Sequence, residues 1–113
     1  MRYRIDNITL DVRRCTIYIF TIIKSFRCKN TEALYNGKRV ARFANIETVA
    51  TRKVQMLDDA AALMDLKSPP ANHLEALKGD RAGQHSIRIN DQWRVCFVWA
   101  KSGPEQVEIV DYH

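Results

Sequence analysis

The sequence predicts an α+β fold, with two N-terminal helices packed on one face of a small antiparallel β-sheet. Three observations carry this expectation. Residues 84–99 read QHSIRI, a turn at Asn90-Asp91-Gln92, then WRVCFVW, and both arms alternate with a period of two. Residues 46–64 place Ile46, Val49, Met56, Leu57, Ala60, Leu63 and Met64 close to the period of an α-helix. The helical pattern lies wholly before the hairpin, so helices and strands are segregated along the chain rather than alternating.

Residues 1–21 read as an N-terminal extension and residues 22–113 as a single domain. In the extension, Arg2, Arg4, Arg13 and Arg14 precede the apolar run Cys15–Ile23. Acidic residues interrupt the basic part and no small-residue cleavage pattern follows, so a secretory leader is not expected. An added edge strand over Ile17–Phe20 fits better. The first strand of the domain is expected at Ile22–Phe26. Asn30 or Thr31 can cap a short helix through Tyr35, with Gly37 ending it. Asn45 is the expected cap of the main helix, which carries Arg52 and Lys53 on its polar side or at its margin, and Ser68-Pro69-Pro70 stops it.

After the prolines, His73–Leu77 should form a short strand. Lys78–Gly83 is a link in which two glycines permit turns. In the hairpin, His85, Ile87 and Ile89 share a face with Trp93, Val95, Phe97 and Trp99. The opposite face holds Arg88 and Arg94, which oppose each other directly if Ile89 pairs with Trp93. Lys101-Ser102-Gly103-Pro104 turns the chain into a last strand, Glu105–Tyr112. There Glu108, Val110 and Tyr112 join the arginine face if register is kept, and a slip of one residue would break the alignment.

The charge is uneven. The chain carries a net +5. Residues 22–72 hold nine Lys/Arg against five Asp/Glu, whereas residues 73–113 hold five against six. The basic excess, including Lys38, Arg39 and Arg42, therefore sits in the helical half, and an acidic partner is compatible with it. Three cysteines without a C-x-x-C pattern argue against a disulfide framework and against zinc, which points to a reducing, cytoplasmic setting. No apolar run approaches the length of a membrane span. Phosphate loops, nucleophile elbows and H-E-x-x-H are absent, and His73, His85 and His113 are too scattered for a metal site. No cofactor or metal is expected.

Two opposed guanidinium forks on the wet face of a sheet suit a phosphate. The plain structural alternative is that they are solvated or paired with Glu108 or Asp111. The chain ends Asp111-Tyr112-His113, a dense polar cluster whose plain alternative is a solvated terminus. Brought beside Arg94 and Lys78, it would meet the needs of RNA cleavage without a metal. The ribose 2′-hydroxyl attacks the adjacent phosphate, a base and an acid move protons, and cations hold the charge building on phosphoryl oxygens. His113 suits either proton-transfer role. Lys78, Arg88 and Arg94 suit the charge role.

The stretches IIKSF at 22–26, LEALKGDRAGQHSIRINDQWRVCFVW at 74–99 and VEIVDYH at 107–113 resemble HigB toxins, of the RelE/ParE superfamily of bacterial toxin–antitoxin systems. The resemblance covers residues 22–113. It implies a RelE-like fold and a ribosome-dependent mRNA endoribonuclease that enters the ribosomal A site, inhibiting translation. It implies a helix-turn-helix antitoxin of the HigA type, and a complex that represses its own operon. Residue by residue, it gives catalytic roles to Lys78, Asp111, Tyr112 and His113, and phosphate contacts to Arg94, Arg88 and Arg81. The chain departs from the family at Glu75, where some members have a histidine. Glu75 acts as the base, or His73 substitutes for it, or cleavage is weak. Two other readings stay open: a ParE-like gyrase inhibitor without catalysis, and a degenerate toxin that serves only as antitoxin-bound co-repressor.

Overall fold

The computed structural model describes residues 10–11, 16–17 and 23–111. Leu10–Asp11 (β1) pairs antiparallel with Thr16–Ile17 (β2), apart from the main sheet. The rest of the strand expected at Ile17–Phe20 lies outside the described residues. Two helices follow, Lys29–Tyr35 (α1) and Glu47–Asp59 (α2). The main sheet is antiparallel in the order Glu75–Ala76 (β3), His85–Arg88 (β4), Trp93–Ala100 (β5) and Gly103–Asp111 (β6). Helices on one face of an antiparallel sheet make this the α+β fold the sequence predicts.

The hairpin β4–β5 has the expected register. Ile87 faces Val95 and Arg88 faces Arg94 across the strands. Asn90 closes the turn through its side chain, accepting hydrogen bonds from the Gln92 and Trp93 amides at 2.8 Å each. This is the local amide capture that makes asparagine a turn residue. Ile87, Val95 and Phe97 are fully buried, and Val107 and Ile109 of β6 extend their face. Against it pack Leu34 of α1, Ala50, Val54 and Leu57 of α2, and Phe43 of the 3-10 turn Ala41–Ile46. Phe43 meets Trp93 edge-on, with ring centroids 5.6 Å apart, and the Arg42 guanidinium lies 5.4 Å from the Trp93 ring. Fully burying side chains of this size contributes about 1.5–3 kcal/mol each.

Register along β6 is less simple. Ala100 pairs with Gly103 and Val98 with Glu105, but Cys96 pairs with Glu108. The turn alone would have set Val107 opposite Cys96. One extra residue in β6 makes up the difference, and Gln106 has a positive φ of 52°. This is a β-bulge. It restores the apolar face by placing Ile109 opposite Val95, and leaves Glu108 and Val110 beside Cys96 and Arg94, as expected.

Several elements end differently from expectation. The first strand is reduced to a parallel bridge between Phe26 and Val107 on the outer edge of β6. The Val107 amide donates to the Ser25 carbonyl, and the Lys24 and Arg27 amides donate back to Pro104 and Val107. Neither Asn30 nor Thr31 caps α1; Cys28 holds the cap position without a side-chain bond. Thr31 is instead fully buried, and its hydroxyl accepts the Ile109 amide at 3.0 Å. The entering segment and Thr31 thus cover an edge that would otherwise expose unpaired amides.

Asn45 does not cap α2 either, because the 3-10 turn Ala41–Ile46 runs straight into the helix and supplies carbonyls there. The helix ends at Asp59, well before the prolines. The Asp65 carboxylate takes the Ala61 and Ala62 amides, a side-chain alternative to further helical bonds. Lys53, expected on the polar side or at its margin, is buried. Its ammonium donates to the Asn72 side chain at 2.5 Å, and burial holds its pKa below the usual lysine value. Asn72, also fully buried, donates to the Leu66 and Ser68 carbonyls and so fixes the turn after the prolines.

Thr31→Val keeps the shape of the residue but leaves the Ile109 amide buried without its acceptor. Stability measured by urea unfolding should fall by about 1–3 kcal/mol.

Candidate RNA-binding face

The face of the sheet turned away from the helices is built by the alternate residues of β3–β6. Ser86 and Cys96 form its floor, both fully buried and directly opposite each other. Cys96, mid-strand, reads from sequence as a small packing residue and is one; Ser86 was not singled out. Three arginines lie over this floor, each against a carboxylate. Arg94 pairs with Glu75 at 3.0 Å and donates to the Ser86 hydroxyl at 3.3 Å. Arg81 pairs with Glu108 at 3.3 Å and donates to the Gln84 side chain at 3.0 Å. Arg88 pairs with Asp91 in the hairpin turn.

Like charges opposed across strands repel, and these carboxylates offset the repulsion between Arg88 and Arg94. These partners come from β3 and the turn, and Glu108, expected as a partner from sequence, is engaged by Arg81. The Cys96 thiol lies among Arg81, Glu108, Arg94 and Glu75, and burial pushes its pKa up to about 11.

The candidates fall into two groups along the strands. At the turn end, His73, Arg88, Asn90, Asp91 and Arg94 line an open hollow of about 400 Å³. His73 reaches it by a route the periodicity could not show. It does not join a strand. It closes the 3-10 turn Pro70–Asn72 in the left-handed region, at φ 47°, its amide donating to the Pro70 carbonyl. Histidine is among the residues enriched there.

At the other end, Lys78 is exposed at the start of the 3-10 turn Gly79–Arg81. Ala76 pairs with His85, so Lys78 stands five residue steps from the level of Arg88, roughly 16 Å of extended chain. Of the three side chains expected in a single concavity, Arg88 and Arg94 share the hollow, and Lys78 stands apart from it along the sheet.

Asp111 ends β6 opposite Trp93, on the other side of the strand from Val110 and Arg94, and accepts a hydrogen bond from the Gln92 side chain at 3.1 Å. Tyr112 and His113 lie outside the described residues. Glu75 is on β3, engaged by Arg94. His85 stacks on Phe97, with centroids 6.2 Å apart, away from the arginines.

The sequence pattern of a family described as the RelE-like toxin of the type II toxin–antitoxin system HigB matches residues 24–113. A curated relative, Toxin HigB-1 of Vibrio cholerae serotype O1, is 40% identical over 76 residues, which cover 66% of this chain and 80% of the relative. An uncharacterized protein of Haemophilus influenzae is 41% identical over 54 residues, 48% of this chain and 54% of that protein, so the match spans about half its length. Among solved structures, a YoeB/ParE toxin from Agrobacterium tumefaciens aligns over 83% of this chain and 98% of its own, with 20% identity and a TM-score of 0.43.

The raised pKa of Cys96 makes its thiolate scarce at neutral pH, and the thiolate is the nucleophile. Iodoacetamide at pH 8 should leave Cys96 unmodified in the folded protein and modify it after unfolding, as read by peptide mass mapping. The thiol is favoured over the thiolate in the folded state, so this contribution to stability is intact below the unfolded thiol's pKa. It is lost as pH rises through about 11. Unfolding free energy should fall more steeply between pH 9 and 11 than in Cys96→Ala.

Proposed function

The chain belongs to the HigB family of RelE-like toxins from type II toxin–antitoxin systems, and on that premise we propose that it is a ribosome-dependent mRNA endoribonuclease. A type II toxin has an antitoxin partner; we take this one to be a helix-turn-helix protein of the HigA type. The toxin unit is residues 22–113, acting in the cytoplasm where translating ribosomes are. The observation that carries the reading is the open hollow at the turn end of the sheet, where Arg88 and Arg94 stand opposite each other.

The message would lie along the face that bears this hollow. Arg88 and Arg94 hold one phosphate by guanidinium forks, and Lys78 with Arg81 holds the backbone toward the other end. The 2′-hydroxyl at the cut attacks the neighbouring phosphorus, giving a cyclic phosphate as the 5′-oxygen leaves. The cation nearest the cut offsets charge gathering on the phosphoryl oxygens, where a preorganised donor acts most strongly. Tyr112 and His113 follow directly on β6 and are assigned to proton transfer. Asp111, which precedes them in the chain, is assigned to the same catalytic group. The basic cluster Lys38, Arg39 and Arg42 would contact ribosomal RNA, and such contacts weaken as salt rises.

One observation favours a second reading. Each arginine of the face already holds a carboxylate, Glu75 standing where some relatives have histidine, so the face is less cationic than its arginines imply. A toxin that has lost cleavage and only co-represses with its antitoxin would tolerate this.

Induction without antitoxin, followed by mapping of transcript 5′ ends, separates the readings. Growth arrest with cuts in phase with codons is expected, with gyrase supercoiling unaffected. Lys78→Ala and deletion of His113 should each lower cleavage about 10²-fold or more while the thermal melt is unchanged. Undiminished toxicity in both would remove these residues from the site, and absence of arrest in the unaltered protein would favour the co-repressor.

A further inference from the structure

The hollow at the turn end of the sheet holds two guanidinium groups, from Arg88 and Arg94. Each is set against a carboxylate: Asp91, which also lines the hollow, on Arg88, and Glu75 of β3 on Arg94. Among the described residues that line it, the other titratable group is His73, and Asn90 adds a neutral amide. Protonation of the imidazole adds one positive charge to this balance.

We propose that His73 is the charge switch of this hollow, which takes one RNA phosphodiester when the imidazole is protonated and releases it as pH rises. This rests on the reading of the chain as an RNA-cleaving toxin, and names the residue that governs how strongly the message is held. Histidine alone among side chains ordinarily changes charge between pH 5 and 8. A phosphodiester keeps its single negative charge throughout that range, so the change in affinity belongs to the protein.

The position is held from within. The turn Pro70–Asn72 that ends on His73 is tied down by buried Asn72, which bonds the Leu66 and Ser68 carbonyls and accepts from the Lys53 ammonium. His73 therefore meets the level of Arg88 on a fixed backbone. Arg88 faces it from β4, Arg94 from β5, Asp91 and Asn90 from the hairpin turn, and Glu75 from β3.

The test uses the full chain and a trinucleotide with 2′-O-methyl riboses and no terminal phosphate, which binds without being cut. Affinity should be about fivefold higher at pH 5.5 than at pH 8, the size expected for one partly exposed charge near a phosphate. Adding the trinucleotide should shift the His73 ring C–H signals in NMR spectra. His73→Asn, which tolerates the left-handed backbone, should bind equally at both pH values, at the weaker level. Glu75→Gln should bind more tightly at both, with the pH dependence kept. A pH dependence that survives in His73→Asn, or ring signals that do not move, overturns the inference. Cleavage on ribosomes is scored separately. Binding that depends on His73 without cleavage keeps this inference and sinks the nuclease; codon-phased cleavage with binding indifferent to pH does the reverse.

Discussion

The cross-strand register of the hairpin governs the rest of the molecule. Because side chains alternate, pairing Ile87 with Val95 commits Phe97, Ile89 and Trp93 to the helices and Arg88 and Arg94 to solvent. A slip of one residue would bury guanidinium groups under α2. The buried apolar face makes that slip expensive, and the Asn90 side chain fixes the turn from which the register counts. Two opposed arginines are then an unavoidable by-product of the core, and the sheet accommodates them by bringing Glu75 and Asp91 alongside.

That hairpin was legible in the sequence because a period of two is a strong signal over sixteen residues. So were the two helices, the last strand and the segregation of elements that defines the fold class. What stayed hidden has identifiable causes. Asp65 captures two amides and stops α2 early, and nothing in the apolar spacing marks this. Thr31 looks like a cap from its neighbours in sequence, yet its hydroxyl serves a strand 78 positions away. Lys53 looks solvated on a helical wheel until Asn72 is placed over it. His73 looked like a strand residue because one left-handed backbone angle has no periodicity.

The functional face shows the same division. Its arginines could be named, because charged positions on the wet side of a hairpin follow from alternation. Of their partners only Glu108 could be named, and not with the arginine that takes it, because Glu75, Asp91 and Glu108 come from three separate elements. A count of cations therefore overstates the field of the face. Pairing also explains how Ser86 and Cys96 can be dry beneath it: the guanidinium groups of Arg94 and Arg81, held by carboxylates, roof them over. The result is a polar surface on a rigid floor, which favours fixed ligand geometry over strong unspecific attraction.

The bulge at Gln106 gives this arrangement a mechanical property. Its amide is bonded to the Ser25 hydroxyl at 2.9 Å, and the adjacent Val107 amide to the Ser25 carbonyl. The residue that corrects the phase of β6 is therefore clamped to the chain just after Ile23, two positions before Glu108. Tension applied to the polypeptide at that entry point passes through the Ile23–Asp58 and Lys24–Pro104 bonds and then to the clamp. If the clamp gave way, β6 would ratchet by one residue, and Glu108 and Ile109 would trade sides like teeth on a slipped gear.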